Sequence, residues 1–600
     1  MPTRISSSKF DSAVLAVAAF GQLAVLSSSF SLPRVTLGRY RVARVPRRAL
    51  AFPMSLAVSA GVPGVAARPR GHRLGVSSRR RPRPAASGAA PGSPSARDDD
   101  ACDVAIVGAG PGGLAAALAL QRAGLDVRVF EQREAFKPAG VAIFIWPHGL
   151  NHLRAIDAAT CDRVVRAGAE IRTIAIEQRD PDAGDDQEAE ELVRIDVAGW
   201  SARMDLPPQI GITWARLTDA LRRGLEPGTV ALGHRLDAVE TVADADAAVL
   251  LRFSAPRAGG EAPAPCRVRH CVIGADGRNS RVRALAMMDE ESAAEEDASS
   301  DASSTEDASS RANVYYALAP NPPDGGCRNE LRFSLCDGAG VSFLDVGRGN
   351  IGLEDNDDPG VMNASSSSSV AGGGQLMFGT TRFGEAPRAF DAPEARLAHL
   401  AEAFATAAPL ARRAVAATDP RDVVQTTLFE REAASRWIAG RCALLGDAAH
   451  CMYPSLGLGI STAFGDAEAL AECLVGPGGA LENVAREGKA RREGVAKSQE
   501  GPLSVRDGFG VGGVGVGVAS PDRSDVSAAL ARYERRRAPP TRALQTASRL
   551  MHGVLAATAR RPATANRTGV DFAGLFFDAW GKLLWLAGDR GGNETRGTRR

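Results

Sequence analysis

The stretch CDVAIVGAGPGGLAAALALQRAGLDVRVFEQ (102–132) constrains the fold more than any other part of this chain. An apolar strand runs into Gly108, Gly110 and Gly113 in the spacing G-x-G-x-x-G, and an Ala/Leu helix follows directly. A second strand then closes on Glu131, 18 residues past Gly113. Glycines at this spacing let the backbone turn tightly against a pyrophosphate, whose charge meets the free N–H groups and positive dipole of the helix start. Glu131 is placed to accept the ribose hydroxyls of an adenosine half. The strand, turn and helix in sequence favour a dinucleotide site over a merely glycine-rich turn, and leave NAD and FAD both open.

Two later segments decide between them. CVIGADGRNSRVR (271–283) ends a buried strand with Gly274, Asp276 and Gly277. RCALLGDAAHCMYPSLGLGISTAFGDAEALAECL (441–474) is a strand leading into Gly446 and Asp447, then a loop with Pro454, Gly457 and Gly459, then a helix carrying Asp466. A carboxylate at a strand end can hold the hydroxyls of a polyol, and a helix start bounded by glycines offers its dipole to a negative ring edge. Together they suit an extended flavin.

With these three motifs in order, Asp276 standing 168 residues after Gly108 and Asp447 another 171 after Asp276, the chain resembles the FAD-dependent aromatic hydroxylases. These are the single-component flavoprotein monooxygenases, which include p-hydroxybenzoate and salicylate hydroxylases, ubiquinone-ring hydroxylases and zeaxanthin epoxidase. The resemblance covers 101 to about 475, and ALARYERRRAPPTRALQTASRL (529–550) matches the family's following helix. It implies that Gly108, Gly110 and Gly113 hold the pyrophosphate, with Glu131 and Arg133 on the adenosine half. Asp276 and Gly277 would line the pyrophosphate and the NAD(P)H path, and Asp447 the ribityl chain. Pro454, Gly457 and Gly459 would lie beside the isoalloxazine ring, and Arg431 resembles a family Arg. The implied reaction is NAD(P)H- and O2-dependent hydroxylation or epoxidation of an aromatic, quinone or isoprenoid small molecule, with FAD carrying the chemistry. The other readings are a flavin reductase of the geranylgeranyl-reductase type and a non-catalytic flavin-binding protein. No catalytic acid or base is nominated.

Four positions depart from the family, the first being Gln132, where the family more often has Arg directly after the Glu. Trp214 stands where a flavin-contacting Arg is usual, with Arg216 expected to point elsewhere; Leu458 replaces a common Gln, and His148 a usual Asn. His450 reads as a satisfied buried histidine and Cys451 as a packing residue without a paired base.

The fold class expected is α/β: a discontinuous doubly wound FAD-binding domain within 101–475 and an inserted sheet-based substrate domain, mainly 312–420. The segments 289–311, 355–374 and 476–521 read as low-complexity insertions, and 525–590 as C-terminal helices. The apolar segment 570–588 is expected to pack on the body, with peripheral membrane contact as the other reading.

Charge separates the first hundred residues from the rest. They hold 15 Arg and one Lys against four Asp, whereas 101–600 hold 56 basic and 66 acidic residues, a balance that argues against nucleic-acid binding. An apolar core from Ala13 to Leu26 precedes a tract, Phe30 to Arg97, whose only charges are Arg. That combination reads as an organelle address over 1–97, to a plastid through a bipartite leader or else to a mitochondrion. Nine scattered Cys without a C-x-x-C pair, and eight His without metal spacing, predict reduced thiols and no metal.

Overall fold

The computed structural model describes residues 101–559, apart from 137–140, 181–188, 243–248, 256–260, 288–311, 323–325, 337, 349–373, 383–387, 429, 432 and 500–522. The leader, the insertions at 289–311 and 355–373, and the 570–588 segment therefore lie outside the described residues.

β1 (Ala101–Val107) is buried along most of its length and forms the centre of an eight-stranded sheet. β2 (Val127–Phe130) and then β8 (Val230–Ala231) extend it on one side, β11 (Cys266–Gly274) and β18 (Cys442–Leu444) on the other, all parallel. β17 (Ile438–Ala439) pairs antiparallel with β18, and β9 (Arg235–Thr241) and β10 (Val249–Ser254) branch antiparallel from β11. Continuous apolar runs such as CDVAIV and CVIG suit strands covered on both faces. One cover is α1 (Pro111–Ala123), which has Pro at its first position and ends at Gly124, φ 115°, whose N–H reaches the Leu120 and Gln121 carbonyls.

A second sheet has seven strands: β5 (Thr173–Gln178), β6 (Glu190–Asp196), β12 (Ala312–Pro320), β13 (Glu330–Cys336), β14 (Ala339–Arg348), β15 (Gly374–Arg382) and β16 (Val424–Leu428), in the order β16-β12-β15-β14-β13-β5-β6. This lobe is broader than the 312–420 read from sequence, because β13 recruits β5 as a parallel partner from more than 150 residues upstream. A three-stranded sheet in the order β3-β7-β4 is made by β3 (Ala142–Ile145), β4 (Ala169–Ile171) and β7 (Gln209–Thr213), which interleave in the chain with strands of the second sheet.

Part of the segment read as a 476–521 insertion is helical. α4 (Glu482–Gln499) follows α3 (Gly459–Val475), with α2 (Arg281–Ala286) earlier in the chain. α4 docks on the end of α1, where Arg492 donates to the Gln121 and Leu125 carbonyls at 2.6 and 2.9 Å. A charged composition looked like solvated linker; here its arginine adds a second donor to the Gln121 carbonyl and meets the Leu125 carbonyl just past the helix end. The last described element, α5 (Arg523–Ala559), packs along α3 and ends on the second sheet, with the Gly338 N–H donating to the Ala559 carbonyl at 2.7 Å. None of the nine Cys forms a disulfide, and all are buried except the half-buried Cys473.

Candidate active site

The ends of β1, β2 and β11 and the turn after β18 open onto a cavity of about 600 Å³ whose far wall is the second sheet. Ten of the eleven residues singled out from sequence line it: Gly108, Gly110, Glu131, Arg133, Asp276, Gly277, Asp447, Pro454, Gly457 and Gly459. Gly113 does not. A Cβ there would stand 2.1 Å from the Gly108 carbonyl oxygen and 3.2 Å from the Ala275 Cβ, so this glycine lets α1 close on the strand turn, while Gly112 joins the cleft wall.

Two helices begin at the cavity without a side-chain cap, α1 after Gly110 and α3 after Leu458. Their first N–H groups are unmet by the helix itself and carry the positive dipole end, which favours an anionic group in front of them.

The carboxylates differ in what occupies them. Glu131 accepts from the Ala109 N–H at 3.0 Å and the Arg133 N–H at 3.1 Å, tying the glycine turn to the end of β2. Asp276 accepts from Ser280 Oγ at 2.6 Å and from the Arg281 and Val282 N–H groups at 2.7 and 3.1 Å, so its carboxylate caps α2. Burial still pushes its pKa up, against these hydrogen bonds. Asp447 is enclosed by protein but open to the cleft, and no described residue hydrogen-bonds its carboxylate. Burial pushes its pKa up, opposed by His450 and the Arg278 guanidinium. Oδ1 lies on the Gly459 side, 3.8 Å from where a Cβ of that residue would be.

The 454–459 loop is braced from β3. Gly457 has φ 61°, and the Phe144 ring occupies the space its Cβ would need, at 2.0 Å. The Trp146 indole N–H donates to the Leu456 carbonyl at 2.8 Å. Trp214 lines the cleft, and its backbone N–H donates to the Val141 carbonyl at 2.9 Å. Arg216 does point away, donating to the Val346 carbonyl at 2.8 Å. Leu458 is fully buried, and His148, also enclosed, has its pKa lowered to about 3 by burial. Arg431 presents its carbonyl to Gln545 Nε2 of α5 at 3.2 Å.

His450 is fully buried, its Nε2 2.6 Å from Asp466 Oδ2, while Arg537 Nε donates to Asp466 Oδ1 at 2.7 Å. Burial pushes the Cys451 thiol up to about 12, which leaves no thiolate for nucleophilic chemistry.

Sequence reasoning missed the far wall. Val314, Tyr316, Phe333, Ser342, Leu344 and Met377 line the cavity from four strands of the second sheet, and His552 and Leu555 from the end of α5. His552 stacks on Tyr453 at 4.4 Å and 5°, with Nδ1 3.1 Å from Ser455 Oγ. The alternation Val314/Tyr316 and Ser342/Leu344 was the available signal, but period 2 marks a face without saying what it faces.

The residues fit a flavin dinucleotide: two uncapped helix starts and one unpartnered carboxylate share a single elongated cleft. The profile of the FAD binding domain family matches residues 101–330 and 389–489. The aurachin C monooxygenase/isomerase of Stigmatella aurantiaca is 27% identical over 374 residues, 62% of this chain and 80% of that protein. The 3-amino-4-hydroxybenzoate 2-monooxygenase of Streptomyces cremeus is 28% identical over 391 residues, 65% and 82% respectively. The crystal structure of Klebsiella pneumoniae HpxO with FAD and uric acid superposes with a TM-score of 0.54 at 21% identity, covering 81% of this chain and 97% of that one. The chain belongs to the FAD binding domain family, and it is an FAD-dependent monooxygenase of the aromatic hydroxylase type that uses NAD(P)H.

Proposed function

We propose that the cleft holds FAD with its pyrophosphate over the Gly108–Gly112 turn, its adenosine ribose toward Glu131 and Arg133, its ribityl chain on Asp447 and its ring beside Gly457 and Gly459. The observation that carries this is Asp447, a carboxylate open to the cleft and hydrogen-bonded by no described residue, in a cavity also lined by two helix starts that favour anions. Asp276 and Gly277 contribute shape and backbone along the pyrophosphate and the NAD(P)H path, since the Asp276 carboxylate is committed to α2. Gly113 acts indirectly, by letting α1 approach.

When bound, FAD supplies the acceptor for the electrons of NAD(P)H and the centre at which O2 is activated. The chain's residues bind and orient it. The α3 N-terminus stabilises negative charge at the ring edge near Gly459, Phe144 and Trp146 hold the 454–459 loop in place, and the sheet with Leu555 excludes water. The substrate is an aromatic, quinone or isoprenoid small molecule. The relatives' names, with aminohydroxybenzoate among their substrates, support a ring compound.

The test is flavin titration of the protein lacking residues 1–97. It should bind FAD and turn yellow, and Asp447→Ala should weaken binding by about 1–3 kcal/mol, the range for a hydrogen bond to a charged group. Because Asp447 has no protein partner, the flavin-free Tm should not fall. A folded, colourless protein that gains no flavin would overturn the assignment.

We further propose that residues 1–97 direct the chain to a plastid, supported by the apolar core followed by the acid-free arginine tract. A reporter carrying these residues should label plastids; mitochondrial or diffuse cytosolic signal would contradict the reading.

A further inference from the structure

The half of the cavity away from the glycine turns is walled by one face of the second sheet, and none of the described sheet residues lining it there is charged. Strand register sets Tyr316, Gly379, Ser342 and Phe333 in one row across β12, β15, β14 and β13. The neighbouring row of Met377, Leu344 and Leu331 is apolar, and all seven residues line the cavity. A Cβ on Gly379 would stand 3.0 Å from Ser342 Oγ and 3.1 Å from two ring carbons of Tyr316, so the absent side chain makes room for the phenol ring above that strand.

Among the described residues, each Asp, Glu and Arg bordering the cavity stands on the nucleotide side: after β2, β11 or β18, or at the start of β9. Near the sheet stands His552, whose pKa burial lowers, leaving it neutral at neutral pH. The Tyr316 hydroxyl hydrogen-bonds no described residue, and burial pushes its pKa up to about 12, so it stays a neutral donor. Ser342 Oγ already donates to the Gly379 carbonyl at 3.2 Å.

An anionic group on this face would lose its water and meet no cation among the described residues, whereas a neutral ring gains from the same desolvation. We propose, resting on the flavin monooxygenase reading, that the enzyme selects a neutral, mainly apolar ring compound with one hydroxyl or carbonyl anchored by Tyr316, and rejects aromatic carboxylates.

The test uses the full chain loaded with FAD, titrated with 2-naphthol, 3-hydroxy-2-naphthoate and naphthalene while the flavin absorbance is followed. We expect 2-naphthol to bind at least ~10-fold more tightly than the carboxylate, about 1.4 kcal/mol. Tyr316→Phe should weaken 2-naphthol by roughly 5- to 10-fold and leave naphthalene unchanged. Leu331→Arg should improve the carboxylate by about 10-fold; if that variant does not fold, the Tyr316→Phe comparison stands alone. Equal or tighter binding of the carboxylate, an equal loss for both neutral probes in Tyr316→Phe, or no binding of 2-naphthol up to its solubility would each overturn the proposal. Failure of the unaltered chain to take up FAD would overturn the flavin reading as well, and the spectrum before titration separates the two failures.

Discussion

Gly110 and Gly113 look alike in the motif and do different work. A methyl at Gly113 would collide with the Gly108 carbonyl oxygen, which is backbone and cannot swing aside, whereas a methyl at Gly110 meets nothing within 4 Å and projects into the cleft. Gly113→Ala should therefore lower stability by about 1–3 kcal/mol, the usual cost of overpacking. Gly110→Ala should leave the Tm of the flavin-free protein unchanged and weaken FAD instead. Thermal denaturation with and without FAD checks both, and a normal Tm for Gly113→Ala would contradict its packing role. Spacing identified all three motif glycines because the motif is contiguous and its geometry local. It could not separate the lining glycine from the packing one, since that depends on how α1 closes on the Gly108 carbonyl and on Ala275, more than 160 residues downstream. The same limit applies to Asp276, whose carboxylate sits at the expected strand end but is spent on the cap of α2.

Between elements, a buried polar cluster joins the turn after β18, α3 and α5. Asp466 on α3 takes His450 Nε2 and Arg537 Nε, and also accepts the Gly446 N–H at 3.2 Å, beside the Asp447 turn. His450 and Arg537 overcome burial and hold its carboxyl at about 2, below the ordinary 3.8. A depressed folded-state pKa contributes stability that is present above the unfolded value and lost as pH falls through the folded one. The wild-type urea midpoint should therefore drop between about pH 4 and pH 2. Asp466→Asn should cost about 3–5 kcal/mol at pH 7, by leaving Arg537 buried without its partner, and should flatten the acid limb. An unchanged acid limb in that variant would contradict the assignment. Elements with strong local patterns, such as β1, α1 and the strand before Gly446, were legible from sequence. α4 was not, because its charged composition says solvated face and only docking against α1 gives Arg492 its carbonyls. β5 and β6 escaped for another reason: they join the sheet through the pairing of β5 with β13, which is remote in sequence, and period-2 alternation names no partner.

At the scale of the molecule, a largely parallel sheet offers charged turns to one side of the cleft and, among the described residues, a second sheet offers an uncharged face to the other. α5 joins them, bound to Asp466 through Arg537 at one stage and meeting Gly338 and Gln178 of the second sheet at its end. The division matches the two tasks of a flavin monooxygenase, which must hold a charged dinucleotide and desolvate a reacting ring together. The most direct measurement is turnover of the FAD-loaded enzyme with NADPH or NADH and a panel of neutral phenols, quinones and isoprenoids under 18O2, with products analysed by mass spectrometry. The account predicts a product carrying one 18O atom per turnover; a product that is reduced and unlabelled, or flavin that stays oxidised with both nicotinamides across the panel, would contradict it.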